Sequence, residues 1–533
     1  MWVIMMQVHA SKIEESDIYD AVPYESYPFK LSHPAHLFTM GTLFDLNPTP
    51  IEKARVLELG CSSGGNLIPL AVTYPQSQFV GVDFSKTSID LGDKHIDALE
   101  LKNIDLKHML ILDFPKEEGL FDYIICHGVF SWVNKKTREK IFNICEDNLK
   151  SNGVAYISYN TLPGWNMVNS IRDLMLWHTQ SIDDPKQKVT QARMILKFIT
   201  DGLEEDTSPY SQFLKYEIKP ISKLPDNYIL HEHLSLYNEP MYFFEFMEQA
   251  SKRNLAYLSD AMLSTMYTGN LPKSFAEELN KIHNIIATNQ YMDFIRNNRF
   301  RSTLLCHSSQ EINRKLNFQD VTKWYLQLNA KLNESDFTEE VIHSDKIIKM
   351  SFSGITLSAN KPNNKAVMYV LYKNRFKLLN YDELKSQVKQ YCPVNEAELD
   401  HLLLNEVNLM RMVLAGLLDF SCYPSSFTTT INGEPKACPL ARYQAGIQSY
   451  VSTRHHQVAR LDPFAKAMLP NLDGKHTHQQ IIKMLNDKTK KGELTVLDHD
   501  KNPITNEKNK IEILEQLYFQ TLNRFAETGV LID

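Results

Sequence analysis

Residues 55–66 read Arg55-Val56-Leu57-Glu58-Leu59-Gly60-Cys61-Ser62-Ser63-Gly64-Gly65-Asn66. Arg55 to Leu59 is a short apolar run of the kind that forms a buried parallel strand. Gly60, Gly64 and Gly65 break it, and a helical pattern starts at Asn66 with Leu67, Leu70 and Ala71 on one face. Strand, glycine turn and helix bring backbone N–H groups and a helix N-terminus up to a ligand. The spacing is E-x-G-x-x-x-G, not the dinucleotide G-x-G-x-x-G. Glu58 on the strand would repel a pyrophosphate and attract an ammonium group. That carboxylate favours a ligand with an amino group, such as S-adenosylmethionine, over NAD. A tight βα turn with an incidental Glu is the bland alternative.

Working outward, the pattern alternates. Strands are expected over 55–60, 78–84, 106–112, 121–127 and 154–159, with helices over about 65–74, 86–101 and 135–150. Ser151-Asn152-Gly153 reads as the turn that closes the last of these helices. Such alternation builds a parallel sheet with helices on both faces. Ligand chemistry then belongs at the carboxyl ends of the first four strands. Asp83 ends the second strand, where it can accept from two ribose hydroxyls. Asp113 ends the third, where it can accept from an adenine amine, with Phe114 to stack on the ring. His127-Gly128-Val129-Phe130 follows the fourth and would wrap the methionine part. One Asp alone is as well explained by a helix cap, but Glu58, Asp83 and Asp113 fall at three strand ends.

Composition sets the frame. The 533 residues suffice for about three to four domains. Hydrophobic content of 43% and charged content of 23% are those of an ordinary globular chain. A net charge of −7 argues against a nucleic-acid binder, which carries a basic face, and suits basic substrates. Seven scattered cysteines with no C-x-x-C point to reduced cytoplasmic thiols and no zinc site. Met1–Val8 is apolar but too short to span a bilayer and lacks a basic start, so no membrane insertion is expected. It reads as a disordered end or an upstream start codon. Residues 11–22 are polar, and Pro23-Tyr24-Glu25-Ser26-Tyr27-Pro28-Phe29 reads as an ordered arm, either a lid or simple packing.

The strings ELGCSSGGN (58–66), VGVDFS (80–85), ILDF (111–114) and FDYIICHGVFSWV (121–133) resemble the class I S-adenosylmethionine-dependent methyltransferases. Ser62 stands where that family carries the middle glycine of E-x-G-x-G-x-G; serine is small, so the turn is expected to survive. Tyr159-Asn160-Thr161-Leu162-Pro163-Gly164-Trp165, His231-Glu232-His233-Leu234, Pro240 to Phe246 and Met292 to Arg301 resemble proteins with a methyltransferase regulatory domain. Within that group the chain resembles the rickettsial lysine methyltransferases that act on outer membrane protein B.

The fold class expected is α/β: a class I methyltransferase Rossmann-like sheet with helical insertions, then a mainly helical C-terminal region. The domains read as an arm and lid over 1–50, a donor-binding core over 51–165, an insertion over 166–310 and a C-terminal region over 311–533. Leu255–Ser259 and 300–307 are expected to supply sheet strands six and seven, with 166–235 and 261–298 inserted above the sheet. Residues 330–365 read as linker plus a ribbon. Units at about 366–422 and 461–533 both read helix, helix, glycine turn, strand, which resembles tandem winged-helix units. They would serve protein contact, complete the fold or pair two copies as a homodimer.

The resemblance implies S-adenosylmethionine as cofactor, a lysine-bearing outer membrane protein as partner and no metal. The cofactor set is Tyr27, Glu58, Gly60, Cys61, Ser62, Gly64, Asn66, Asp83, Phe84, Ser85, Asp113, Phe114, His127 and Gly128. The candidate catalytic residues follow strands four and five. Asn160 would orient the amine, Tyr159 and Trp132 would line its channel with Phe130 and Trp165, and His127 would relay a proton. Aromatic faces attract an amine by about 0.5–2 kcal/mol each, although Trp132 and Trp165 are equally at home in a core. The competing functions are a methyltransferase for a small molecule or another protein, and a non-catalytic cofactor-binding scaffold. Openness of the site separates the first from a lysine methyltransferase.

Overall fold

The computed structural model describes residues 25–235, 237–496 and 507–533. Met1–Val8, the polar 11–22 and Pro23-Tyr24 therefore lie outside the described residues.

Seven strands form the central sheet: β1 (Arg55–Leu59), β2 (Gln78–Asp83), β3 (Ile104–His108), β4 (Phe121–Cys126), β5 (Leu149–Asn160), β6 (Leu255–Asp260) and β7 (Phe300–His307). Their order is β3-β2-β1-β4-β5-β7-β6. β1 to β5 pair in parallel, and β7 lies antiparallel between β5 and β6. All six residues of β4 are buried. That is why its sequence is a near-continuous apolar run rather than an alternating one. Both late segments thus enter the main sheet, as the sequence suggests, and Asn160 faces Phe300 across the β5–β7 ladder.

Two boundaries differ from expectation for physical reasons. β3 covers Ile104–His108, not 106–112, because its partner β2 ends at Asp83, opposite His108. Beyond that point the apolar run has no ladder to join; Leu110 and Leu112 are exposed and a 3₁₀ turn spans Ile111–Asp113. β5 starts directly from the helix Lys135–Asn148. Phe121 pairs with Leu149 but Tyr123 pairs with Val154. Ser151-Asn152-Gly153 is therefore an irregularity inside a strand, not a turn before one.

Helices Trp165–Thr179, Pro185–Gly202 and Pro209–Ile221 form an insertion with its own apolar cluster, including Ile171, Met175, Leu196 and Ile218. Arg299 ties it to the sheet through a two-pronged contact with Glu217, at 2.9 and 2.5 Å. Within the sheet edge, buried Arg301 bridges Asp260 and Asp293. Burial pulls that guanidinium down, but the two carboxylates outweigh it and hold it above its ordinary value.

The C-terminal region packs on the sheet without a break, one apolar core running from Val56 and Tyr123 to Tyr518 and Leu531. Its first unit centres on a small sheet in which Tyr325–Leu328 lies between Leu379–Asn380 and Leu418–Ser421. A hairpin of Ile348–Phe352 and Ile355–Ala359 is the ribbon expected within 330–365. The second unit carries helices Pro439–Ile447, His478–Lys490 and Glu507–Glu527, and Lys436–Ala437 pairs with Leu531–Ile532. Each unit turns into its last strand through a left-handed glycine, Gly416 (φ 76°) and Gly529 (φ 71°). Among the described residues no helix is long and apolar enough to cross a membrane. All seven cysteines are free thiols.

Candidate active site

A cavity of about 670 Å³ lies at the carboxyl ends of β1, β2, β4 and β5. Glu58 reaches it from β1. Its Oε1 accepts a hydrogen bond from Asn66 Nδ2 at 2.9 Å, while Oε2 is buried with no hydrogen-bond partner among the described residues. Burial pushes this carboxyl up to about 8, against the Asn66 bond and with help from nearby Asp83. A buried carboxylate oxygen with no hydrogen-bond partner, on a residue of the cavity wall, suits a cationic partner.

Asp83 accepts from the backbone N–H of Ser62 at 2.8 Å and of Ser85 at 2.9 Å. Burial raises its pKa and these bonds oppose the rise. Each carboxylate oxygen retains acceptor capacity for a ligand hydroxyl. Ser62 sits at φ 48°, left-handed backbone normally left to glycine. Its N–H bond to Asp83 holds the turn there despite the serine. Gly60 is needed for space as well as conformation: a Cβ would lie 2.4 Å from Val129 Cγ2.

The arm crosses the glycine turn. A Cβ on Gly65 would lie 2.2 Å from the Ser26 carbonyl oxygen, and Gly65 N–H donates to Ser26 Oγ at 2.9 Å. Only glycine admits so close a crossing. Tyr27 and Phe29 line the cavity from this arm. The Phe29 ring lies 3.7 Å from that of His127.

Cys61, Asn66, Phe84, Ser85, His127 and Gly128 also line the cavity. Burial raises the Cys61 thiol well above its ordinary value, so it stays protonated. Gly64 (φ 74°) shapes the turn from behind and is not in the cavity wall. Asp113 and Phe114 correct the expectation. Asp113 is exposed outside the wall, and Phe114 is buried beside Phe121. The early end of β3 places Leu110, Ile111 and Leu112 there instead, a flat apolar surface for a ring.

At the far end the wall is Trp132, Asn160 and Phe300, with Tyr228, His231, Glu232 and Tyr237 from the insertion. Asn160 Nδ2 donates to Asn238 Oδ1 at 3.1 Å, which leaves Asn160 Oδ1 as the acceptor it can offer. Tyr159 is not part of this wall. Neighbouring strand residues point to opposite faces, so with Asn160 in the cavity Tyr159 enters the core. There its ring stacks on Phe246 at 4.2 Å and its hydroxyl pairs with Thr303 Oγ1 at 3.1 Å. Phe130 and Trp165 are likewise buried outside the wall. His127 Nδ1 pairs with the Tyr156 hydroxyl at 2.9 Å, and burial pushes its pKa down to about 4. Burial therefore holds the imidazole neutral.

Sequence reading missed Ser26 and Phe29 as wall residues, although the arm was singled out. It also missed Tyr228, His231, Glu232 and Tyr237; the His231-Glu232-His233 string was the available signal, with nothing to place it near Asn160.

Comparison with known proteins agrees with this architecture. The methyltransferase domain family matches residues 56–153, the "Predicted methyltransferase regulatory domain" 225–307, and "PKMT, C-terminal winged helix domain" 433–530. Uncharacterized protein RP789 of Rickettsia prowazekii is 40% identical over 529 residues, 98% of this chain and 94% of the relative. The structure of PKMT2 from Rickettsia typhi superposes with a TM-score of 0.87 at 35% identity, covering 96% of this chain and 100% of that one. The chain belongs to the PKMT family. Members are S-adenosylmethionine-dependent protein-lysine methyltransferases, and the Rickettsia typhi relative is also known in complex with AdoHcy, at 36% identity and a TM-score of 0.87. The regulatory-domain match spans β6 and β7, so in this PKMT it includes two strands of the catalytic sheet. The residues present fit the family's methyl donor: the Glu58 carboxyl group for a cationic amino group, Asp83 for hydroxyls and the apolar Leu110, Ile111 and Leu112 side of the wall for a ring.

Proposed function

We propose that this PKMT methylates lysine side chains of an outer membrane protein, outer membrane protein B by the resemblance noted above. Glu58 and Asp83 hold the donor, and Asn160 and Trp132 order the lysine. The single observation that carries this is one continuous cavity with both ends on the same wall. It opens to solvent, since Leu110, Tyr237 and Phe300 line it while 52%, 50% and 45% exposed. A protein segment needs such an opening; a small substrate is better served by a closed pocket.

The bound donor supplies an electrophilic methyl carbon. A lysine must be neutral to attack it. At about pH 7.4 neutralising a side chain of pKa about 10.4 costs roughly 4 kcal/mol. Alignment of the reacting groups can supply roughly 7–11 kcal/mol. Positioning therefore outweighs the proton cost, and no strong base is required. Asn160 Oδ1 accepts from the amine and aims its lone pair, while Trp132 offers an aromatic face. The proton leaves to solvent through the open end.

The free thiols support action in the cytoplasm, before the substrate is exported. A homodimer belongs to the same proposal. Exposed Trp177, Phe198 and Tyr216 on the insertion are the surface a second copy would cover, and sedimentation tests it. For the activity, labelled S-adenosylmethionine is incubated with recombinant outer membrane protein B and the products are mapped by mass. Methyl groups on lysines are expected. Label confined to small molecules would overturn the proposal.

A further inference from the structure

The winged helix domain reaches the back of the glycine turn. Its hairpin, Tyr450–Ser452 and Val458–Arg460, carries His456 in the connecting loop, buried and at φ 56°. His456 Nε2 lies 2.7 Å from Asn66 Oδ1, a contact between positions 390 residues apart. Asn66 Oδ1 also accepts from the Phe29 backbone N–H at 3.0 Å. The other end of the same amide donates to Glu58 Oε1 at 2.9 Å and to Ser32 Oγ at 3.2 Å.

This pattern admits one orientation of the amide. The Phe29 N–H can only donate, and His456 donates once its proton is on Nε2. A flipped amide would set its NH₂ against the Phe29 N–H, which can only donate. The Phe29 N–H and His456, with the Ser32 hydroxyl at 3.4 Å, face Oδ1 and fix the N–H that Glu58 receives, and one of the three comes from the C-terminal domain. The hairpin is held at this point by more than His456. Arg454 hydrogen-bonds Thr73, His33 packs edge-on to His456 at 4.9 Å, and Tyr27 packs on Tyr450 at 5.1 Å. His33 and His456 are both kept neutral by burial.

We propose that His456 is a positioning residue of the methyl-donor site: through Asn66 it fixes the orientation of the Glu58 carboxyl group in the cavity wall. The winged helix domain is thereby a working part of the donor site. This rests on Glu58 receiving the donor's amino group.

The test uses the full chain and two ligands. S-adenosylhomocysteine carries the amino-acid part with its amino group; 5′-methylthioadenosine has the same nucleoside and sulfur and lacks that part, amino and carboxylate groups together. His456→Ala is expected to weaken S-adenosylhomocysteine about five- to tenfold, the worth of one ordinary hydrogen bond. It should leave 5′-methylthioadenosine within about twofold. His456→Gln, which keeps a side-chain N–H donor, should recover most of the loss. Equal loss for both ligands, no loss, or no recovery in His456→Gln would overturn the role. Glu58→Gln run alongside isolates the premise: if it weakens both ligands alike, the amino-group assignment falls, and the His456 role with it. Should His456→Ala not fold, Asn66→Ser cuts the same link from the other side and must show the same ligand split, equal loss again counting against the role.

Discussion

The two ends of the cavity are built differently. At the proposed donor end the polar groups sit on strand ends and on one turn. Asp83 closes β2 and is tied to Ser62 and Ser85, and Glu58 is buried within β1 and tied to Asn66. At the proposed acceptor end Asn160 is the last residue of β5 and Phe300 the first of β7, and the other wall residues come from loops and from the insertion. Strand ends fix a ligand's position; loops can be rebuilt without disturbing the sheet. The donor end thus suits a ligand common to many enzymes, and the acceptor end is where a particular lysine would be chosen.

The largest effect that can break this contrast is at Asp83. Asp83→Ala removes an acceptor for two hydroxyls and also frees the left-handed Ser62. S-adenosylhomocysteine affinity, measured by calorimetry, is expected to fall about 100-fold, two hydrogen bonds to a charged group. Unchanged affinity would remove Asp83 from the donor end.

A smaller effect sharpens the role of Glu58. Its carboxyl is raised to about 8, so in the donor-free protein the neutral form dominates below that pH. Receiving an ammonium group requires the carboxylate, so binding at pH 7 must release a proton from Glu58. Titrations in buffers of different ionisation enthalpy should show release of about one proton, absent in Glu58→Gln. No release in the native chain would contradict the ionisation of a neutral Glu58 on binding.

The same contrast governs what could be read from the sequence. That Glu58 and Asp83 line the cavity was legible because a buried strand followed by a turn fixes where the residues at its carboxyl end point. Asp113 misled because Met109 to Leu112 is as apolar as a strand, and only the end of β2 shows that no ladder continues there. Asn160 and Tyr159 could not both line a cavity, by the two-residue period of a strand, a constraint the candidate set did not apply. β6 and β7 were legible as apolar segments that a seven-stranded sheet still needed. Tyr228, Glu232 and His456 reach the site through tertiary packing alone, and no local pattern reports that.

Asn160→Ala tests most directly whether one cavity holds two separable ends. The variant is titrated with S-adenosylhomocysteine and assayed for methyl transfer to the protein substrate in the same preparation. The predicted result is donor affinity within about twofold of the native chain with transfer slowed at least about tenfold, the loss of one orienting hydrogen bond. A loss of donor affinity as large as the loss of rate, or native rate with native affinity, would contradict it.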